Sequence, residues 1–193
     1  MPQIFHKIGR NKIQENLFDA GFKLIKKYGL KKTSIADISC NAGIATGTFY
    51  NFFPSKEEFI YQLIIYKRNI AKMDFETLVA NGKIDKETFR KYLRKVYLSD
   101  DNVFDYLDDK DIAMLNTRWS EENWKSERND EKTTKWLLSH LIDVNPNCEW
   151  KVFANLSKSI SLIRYGKVRL YEAEYEKMLD IYLDAIIRYI FYK

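Results

Sequence analysis

Cysteine, histidine, proline and glycine are all scarce in this chain of 193 residues. The two cysteines, Cys40 and Cys148, lie far apart and unpatterned, which excludes a disulfide framework and suits a reducing compartment. The two histidines, His6 and His140, fall in different regions, and there is no P-loop, dinucleotide glycine pattern or H-E-x-x-H. No catalytic constellation, metal site or cofactor is therefore expected, and the chain does not read as an enzyme. Three prolines and seven glycines are too few for a loop-rich β fold and favour long helices. No apolar run reaches the roughly 18 residues of a membrane span. The most apolar stretch, residues 178–192, is broken by Asp180, Asp184 and Arg188 at helical spacing. Residues 1–12 are polar and basic, without the apolar segment of a signal peptide, so a cytoplasmic location without a membrane partner is expected.

Acidic residues are also scarce at one end. Residues 1–50 hold eight basic side chains (Lys7, Arg10, Lys12, Lys23, Lys26, Lys27, Lys31, Lys32) against three acids (Glu15, Asp19, Asp37). That excess equals the +5 of the whole chain, so residues 51–193 sum to zero. This asymmetry is expected where only one end meets phosphate. A solvated charged face is the plainer alternative.

The basic end carries the informative pattern, over residues 34–59. Ser34 and Asp37 have the spacing of a capping box. Gly43 stands where that helix must stop. Residues 45–53 allow two helical turns before Pro54 ends them. Ser55 and Glu58 then repeat the box. Two short helices about a glycine turn form a helix-turn-helix, whose second helix enters a DNA major groove. In that helix Phe49 and Phe53 are four apart and point inward. Thr46, Gly47, Thr48, Tyr50 and Asn51 are left facing out. Gly47 lets the backbone approach closely. Asn51 offers paired donor and acceptor to an adenine edge, or is only a solvated surface residue. Thr33 and Ser34 could donate to a phosphate. Lys56 sits in a first helical turn, where its charge opposes the helix dipole, so an anion is a better reason for it than a structural one. Cys40 is expected to be a small buried residue.

This stretch resembles the DNA-binding domain of the TetR/AcrR one-component regulators. The resemblance rests on Tyr28-Gly29, Thr33-Ser34-Ile35, Ala42-Gly43-Ile44, Gly47-Thr48-Phe49-Tyr50 and Phe53-Pro54-Ser55-Lys56-Glu57. It implies an all-helical homodimer that binds double-stranded operator DNA and is released by a small-molecule effector. It also places Tyr50 and Lys56 at positions that meet phosphate. The chain departs from the pattern at Ala45 and Thr46, where the family often has Ser or Lys. It departs again at Phe52, often His or Tyr, since a phenyl ring cannot hydrogen-bond to phosphate.

The remainder reads as further helices near residues 12–28, 35–42, 46–52, 56–73, 86–98, 112–124, 131–144, 149–165 and 171–191, with breaks at 81–85 and 145–147. Residues 99–111 carry six Asp and read as a loop or weak helix start. The expected fold is all-α. An N-terminal three-helix helix-turn-helix domain, residues 1–55, is joined by the helix from Lys56 to a larger helical ligand-binding and dimerisation domain, residues 56–193.

The last two helices are unusually apolar. Leu179, Leu183, Ile186, Ile187 and Ile190 span more than one seam, while Ala154, Ser157 and Ser161 would let another backbone come close. Intramolecular core is one reading and a four-helix bundle across a two-fold axis the other; the resemblance favours the second. Large aromatics between residues 103 and 165 suit core packing or an apolar pocket. Candidate pocket residues are Phe104, Met114, Arg118, Trp119, Trp124, Trp136, His140, Arg164 and Tyr165. The resulting reading is a ligand-responsive DNA-binding regulator, most simply a repressor. The alternatives are an activator, or a helical protein-interaction module without DNA binding.

Overall fold

A computed structural model of the chain describes residues 2–118, 127–165 and 169–192, with side chains omitted at 2–8, 109, 114, 116–118, 127–130, 165 and 172. The protein is all-helical. The elements are α1 (Pro2–Tyr28), α2 (Ile35–Asn41), α3 (Thr46–Phe49), α4 (Lys56–Leu78), α5 (Lys86–Leu98), a 3-10 turn (Val103–Tyr106), α6 (Asp109–Arg118), α7 (Glu127–Ser139), α8 (Trp150–Tyr165), a second 3-10 turn (Glu172–Glu174) and α9 (Tyr175–Phe191). Among the described residues the only extended pairing is an isolated bridge between Ile84 and Leu141.

Several helix ends follow from local chemistry. α1 stops at Gly29, whose φ of 78° is cheap only for glycine. Ser34 caps α2 with the full reciprocal box to Asp37. At the second box the Glu58 amide donates to Ser55 Oγ at 3.1 Å, and the Glu58 carboxylate accepts from Gln62 Nε2 at 2.7 Å. Asp85 caps α5 by accepting from the Thr88 amide at 2.7 Å. The acidic stretch is more ordered than expected. Asp108 accepts from the amides of Lys110 and Asp111, and the Asp108 amide donates back to Asp111, so its carboxylates start α6. α7 ends at Ser139, short of 144, because the chain turns into the Ile84 bridge and Asp143 takes a φ of 57°.

The chain forms two compact units, Met1–Arg68 with Tyr106–Arg118, and Asn69–Asp105 with Trp119–Lys193. They do not follow a single cut at residue 56: the first takes in the first half of α4 and all of α6. At its centre is a knot of phenylalanines. Phe53 lies 5.4 Å from Phe18, 5.3 Å from Phe49 and 5.0 Å from Phe59, centroid to centroid. Phe49, Phe53 and Phe59 are completely buried, and Leu17, Ile25 and Ile38 complete the core. One ring each comes from α1, α3, the segment after α3, and α4. Tilted and edge-on pairs of this kind add about 1 kcal/mol each beyond the burial of their area.

The second unit packs Phe75, Phe89, Leu93 and Phe153 against Leu179, Leu183, Ile186, Ile187 and Ile190 of α9. α5 is tied to α9 by Arg90 Nε to Asp184 at 2.6 Å and by Arg94 to Asp180, and to α4 by Lys95 Nζ to Asp74 at 2.7 Å. These exposed pairs contribute little beside the apolar burial.

Gly21 explains how the ring knot closes against α1. A Cβ there would lie 2.4 Å from Phe59 Cζ and 2.7 Å from Cε1. Alanine is normally better than glycine inside a helix by roughly 0.5–1 kcal/mol. Here the Phe59 ring is walled in by Phe18, Phe49 and Phe53, so overpacking dominates at about 1–3 kcal/mol. Gly21→Ala should therefore lower the thermal midpoint of unfolding rather than raise it, as differential scanning calorimetry would show.

Candidate nucleic-acid interface

The recognition element is built from α2, a glycine turn and a single turn of α3. Ile38 and Ser39 are fully buried and hold α2 to the core. The Ser39 hydroxyl donates to the Ile35 carbonyl at 2.8 Å, which satisfies it without a partner outside the helix. Gly43, with φ 72°, reverses the chain, and its amide donates to the Cys40 carbonyl at 3.1 Å. Ala45 is the N-cap of α3 and supplies no side-chain acceptor. Four residues with no cap side chain would not hold a helix alone. α3 persists because Phe49 is locked in the ring knot and the amides of Phe52 and Phe53 both donate to the Phe49 carbonyl, at 2.9 and 3.0 Å. The expected helix to 52 is thus one α-helical turn followed by tight turns.

The inward and outward faces fall as the pattern requires. Phe49 and Phe53 are buried, while Thr46, Gly47, Asn51 and Tyr50 are exposed, Tyr50 by 53%. Thr48 is half-buried. Thr33 differs: it is 1% exposed, and its hydroxyl donates to the Gly29 carbonyl at 2.9 Å, so that group does not face outward. The Ser34 hydroxyl is exposed but donates to Asp37 Oδ2 at 2.5 Å. That bond and the one from the Ser34 amide hold the Asp37 carboxyl below its ordinary range. Cys40 is exposed, not buried, because α2 turns its Ile38–Ser39 edge to the core.

Lys56 has the structural reason that dipole reasoning withheld. Its Nζ donates to the Leu30 carbonyl at 2.6 Å, tying the start of α4 to the loop after α1. Burial pushes its pKa down, against the pull of Asp111 and Glu57. Sequence reasoning counted Arg10 only among the basic residues of this end and gave it no place in the site, because it started α1 at residue 12. With no proline between Pro2 and Pro54, the helix runs further upstream and brings Arg10 to the end of the recognition element. Its Nη2 donates to the Asn51 carbonyl at 2.8 Å, and its guanidinium lies 4.8 Å from the Phe52 ring centroid.

The candidate effector residues are only partly assembled. Trp119 and Trp124 lie outside the described residues, as do the side chains of Met114, Arg118 and Tyr165. Phe104 is half-buried on the first 3-10 turn. Trp136 and His140 do meet, 5.0 Å apart, with Phe75 5.2 Å from Trp136 and Tyr92 5.0 Å from Phe75. They pack tilted and edge-on, with Phe75 in the core and Trp136 and Tyr92 against it. The Tyr92 hydroxyl donates to the Ala71 carbonyl at 3.1 Å, and burial raises its pKa. Arg164 is 6% exposed and engaged with the Asp105 carboxylate and the Ser99 carbonyl, so its guanidinium holds the fold together. Two open surface grooves of this unit are lined by other residues, one around Leu138, Pro146, Cys148 and Trp150, the other around Ile181, Ala185, Arg188 and Tyr192. Among the described residues no group of His, Cys, Asp and Glu could hold a metal ion, and no helix is long and apolar enough to cross a membrane.

The proposed dimer residues separate in the same way. Leu179, Leu183, Ile186, Ile187 and Ile190 are each at most 2% exposed within the single chain, and Ala154 is 9% exposed. Five apolar positions over three turns exceed one seam because α9 packs against several neighbours at once, not because a second chain is needed to cover them. Ser157 and Ser161 are half-buried.

A short helix presented by a glycine turn on an all-helical scaffold defines a helix-turn-helix transcriptional regulator. The sequence model described as "Bacterial regulatory proteins, tetR family" matches residues 17–63, the part of the chain that holds the helix-turn-helix. It is 24% identical over 178 residues to an HTH-type transcriptional regulator of Haemophilus influenzae, covering 91% of this chain and 89% of that one. It is 26% identical over 133 residues to the HTH-type transcriptional repressor KstR2 of Rhodococcus jostii, covering 67% and 64%. It is 25% identical over 92 residues to the HTH-type regulator YuxN of Bacillus subtilis, covering 48% of this chain but 31% of the length of that relative. In fold it is similar to a transcriptional regulator from Cytophaga hutchinsonii, with a TM-score of 0.63, 18% identity and coverage of 91% and 97%. It is also similar to FadR from Bacillus subtilis in complex with stearoyl-CoA, with a TM-score of 0.52, 16% identity and coverage of 90% and 97%.

Proposed function

We propose that this regulator is a repressor that binds a palindromic operator as a homodimer and is released by a small molecule. The observation that carries the DNA reading is the two-faced α3: Phe49 is fully buried while Thr46, Gly47, Tyr50 and Asn51 stand exposed beside it. A helix held this firmly by one side can present the other to base edges without reorganising. In this reading residues 1–55 bind DNA, with Thr46 and Asn51 at bases and Ser34, Tyr50 and Lys56 at phosphates, and residues 56–193 hold the effector and the dimer contact. A relative that is named a repressor, and a structural neighbour that holds stearoyl-CoA, support repression and a small-molecule effector.

The experiment is duplex binding as a function of salt, using DNA enriched by the protein from a random-sequence library. Asn51→Ala should relax preference at one base pair, costing on the order of 1–3 kcal/mol for a bidentate contact. Lys56→Met should weaken binding to all sequences alike and flatten the salt dependence by roughly one per protomer. A parent chain that binds duplex DNA without salt dependence, or not at all, would favour a protein-interaction module instead.

The dimer surface is best sought on the exposed side of the last two helices. Leu162 is 68% exposed, Ile181 62% and Tyr192 71%, and Ile181, Ala185 and Arg188 share one face of α9, with Tyr192 just past its end. Half-buried Ser157 and Ser161 leave room for a close approach on α8. Ile181→Asp should convert dimers to monomers in sedimentation without unfolding the chain, because the side chain has little to lose within its own protomer. Monomeric parent protein at micromolar concentration would remove this part of the reading.

Release by an effector requires the effector to bind the DNA-free conformation more tightly. Linkage then fixes the size of the effect in both directions. An effector found by thermal-shift screening should bind more weakly in the presence of saturating operator, by the same factor by which it weakens operator binding, as isothermal titration would measure. Equal affinities with and without DNA would show that the compound is not the switch.

A further inference from the structure

Arg10 is a basic side chain of the first unit that is tied directly to the recognition element. Its Nη2 donates to the Asn51 carbonyl at 2.8 Å, and its guanidinium lies over the Phe52 ring at 4.8 Å. Both partners immediately follow Tyr50, the exposed end of α3. Arg10 is itself exposed, and among the described residues no carboxylate pairs with it. The cation is therefore located but not neutralised.

A purely structural role accounts poorly for this arrangement. A cation beside the last carbonyls of a helix gains a fraction of a kcal/mol at an exposed site, and α3 is a single turn with a small dipole. An exposed cation–π contact adds a similar amount. Ordering a long arginine side chain costs about as much as these contacts return. Arginine carries a planar fork of five N–H donors, and the bond to the Asn51 carbonyl uses one of them. The Phe52 ring beneath has no hydrogen-bonding group, so it acts as a platform and offers nothing to an anion.

We propose that Arg10 is a DNA-backbone contact and positioning residue. Its guanidinium rests on Phe52, fixes the end of the recognition element through the Asn51 carbonyl, and donates its free N–H groups to a phosphate flanking the groove that α3 enters. The ordering cost is met before DNA arrives, so the contact adds affinity at little further entropic loss. The arrangement also explains the continuation of α1 upstream of residue 12, since a chain frayed there would leave Arg10 unplaced. This inference rests on the DNA-binding reading above.

The test uses the full chain and the library-selected duplex, with affinity measured across a salt series. Arg10→Gln should weaken binding about ten-fold at moderate salt and flatten the log–log salt slope by roughly one per protomer, with base preference unchanged. Arg10→Lys should keep the parental slope, because the charge remains, yet bind several-fold more weakly, because an ammonium cannot stack and fork in the same way. Phe52→Leu should also keep the slope while losing affinity, since it removes the platform and not the charge. Thermal unfolding is measured alongside. If Arg10→Gln keeps the parental slope and affinity, with or without a lowered unfolding midpoint, Arg10 is only a surface tie and the inference is overturned. A parent without salt-dependent duplex binding would overturn the regulator reading and this inference with it, whereas a parental slope in Arg10→Gln overturns this inference alone.

Discussion

The knot of Phe18, Phe49, Phe53 and Phe59 is the constraint on which the N-terminal unit depends. A helix-turn-helix has too little backbone to stabilise itself. α2 is seven residues and α3 is four, and neither would form in isolation. What fixes them is that four segments of chain each place a phenyl ring in one dry cluster, and that Gly21 removes the methyl group that would keep Phe59 out. The caps at Ser34 and Ser55 and the tie from Lys56 to Leu30 then set the ends of helices whose axes the rings have already placed.

The second unit has the reverse character. Its core is aliphatic along α9 and aromatic where α4, α5 and α7 meet, and its charged residues form ties between helices. Arg164 shows the difference between composition and use. A buried arginine in an aromatic region reads as a group that would orient a ligand. Here its guanidinium is committed to Asp105 and Ser99, and removing it would leave the Asp105 carboxylate without its cation.

The parts legible in the sequence were those governed by local rules. Positive-φ glycines at 29 and 43, the Ser34–Asp37 box and the four-residue spacing of Phe49 and Phe53 each have a mechanism that acts within a few residues. The parts that were not legible depend on contacts far along the chain. Lys56 looked unfavourable at a helix start because the Leu30 carbonyl it meets is 26 residues away. Arg10 carried no signal because its partner is 41 residues away. An apolar arc on α9 cannot say whether a neighbour in the same chain or in another covers it; Leu179, Leu183 and Ile187 were covered by the same chain, while Ile181 was left bare. Cys40 was misplaced because a seven-residue helix has only one edge inside, and Ile38 and Ser39 occupy it.

The division of labour within α3 has an evolutionary consequence. The residues that keep the helix in place, Phe49 and Phe53, have no exposed surface, and the residues on its open face, Thr46, Gly47 and Asn51, bear almost none of the packing. Substitutions on the open face are therefore close to neutral for folding, while substitutions beneath it are not. A lineage carrying this domain can drift in the surface it offers to a partner without passing through an unfolded intermediate sequence. The ring knot makes the domain evolvable by confining selection for stability to positions that no partner can reach.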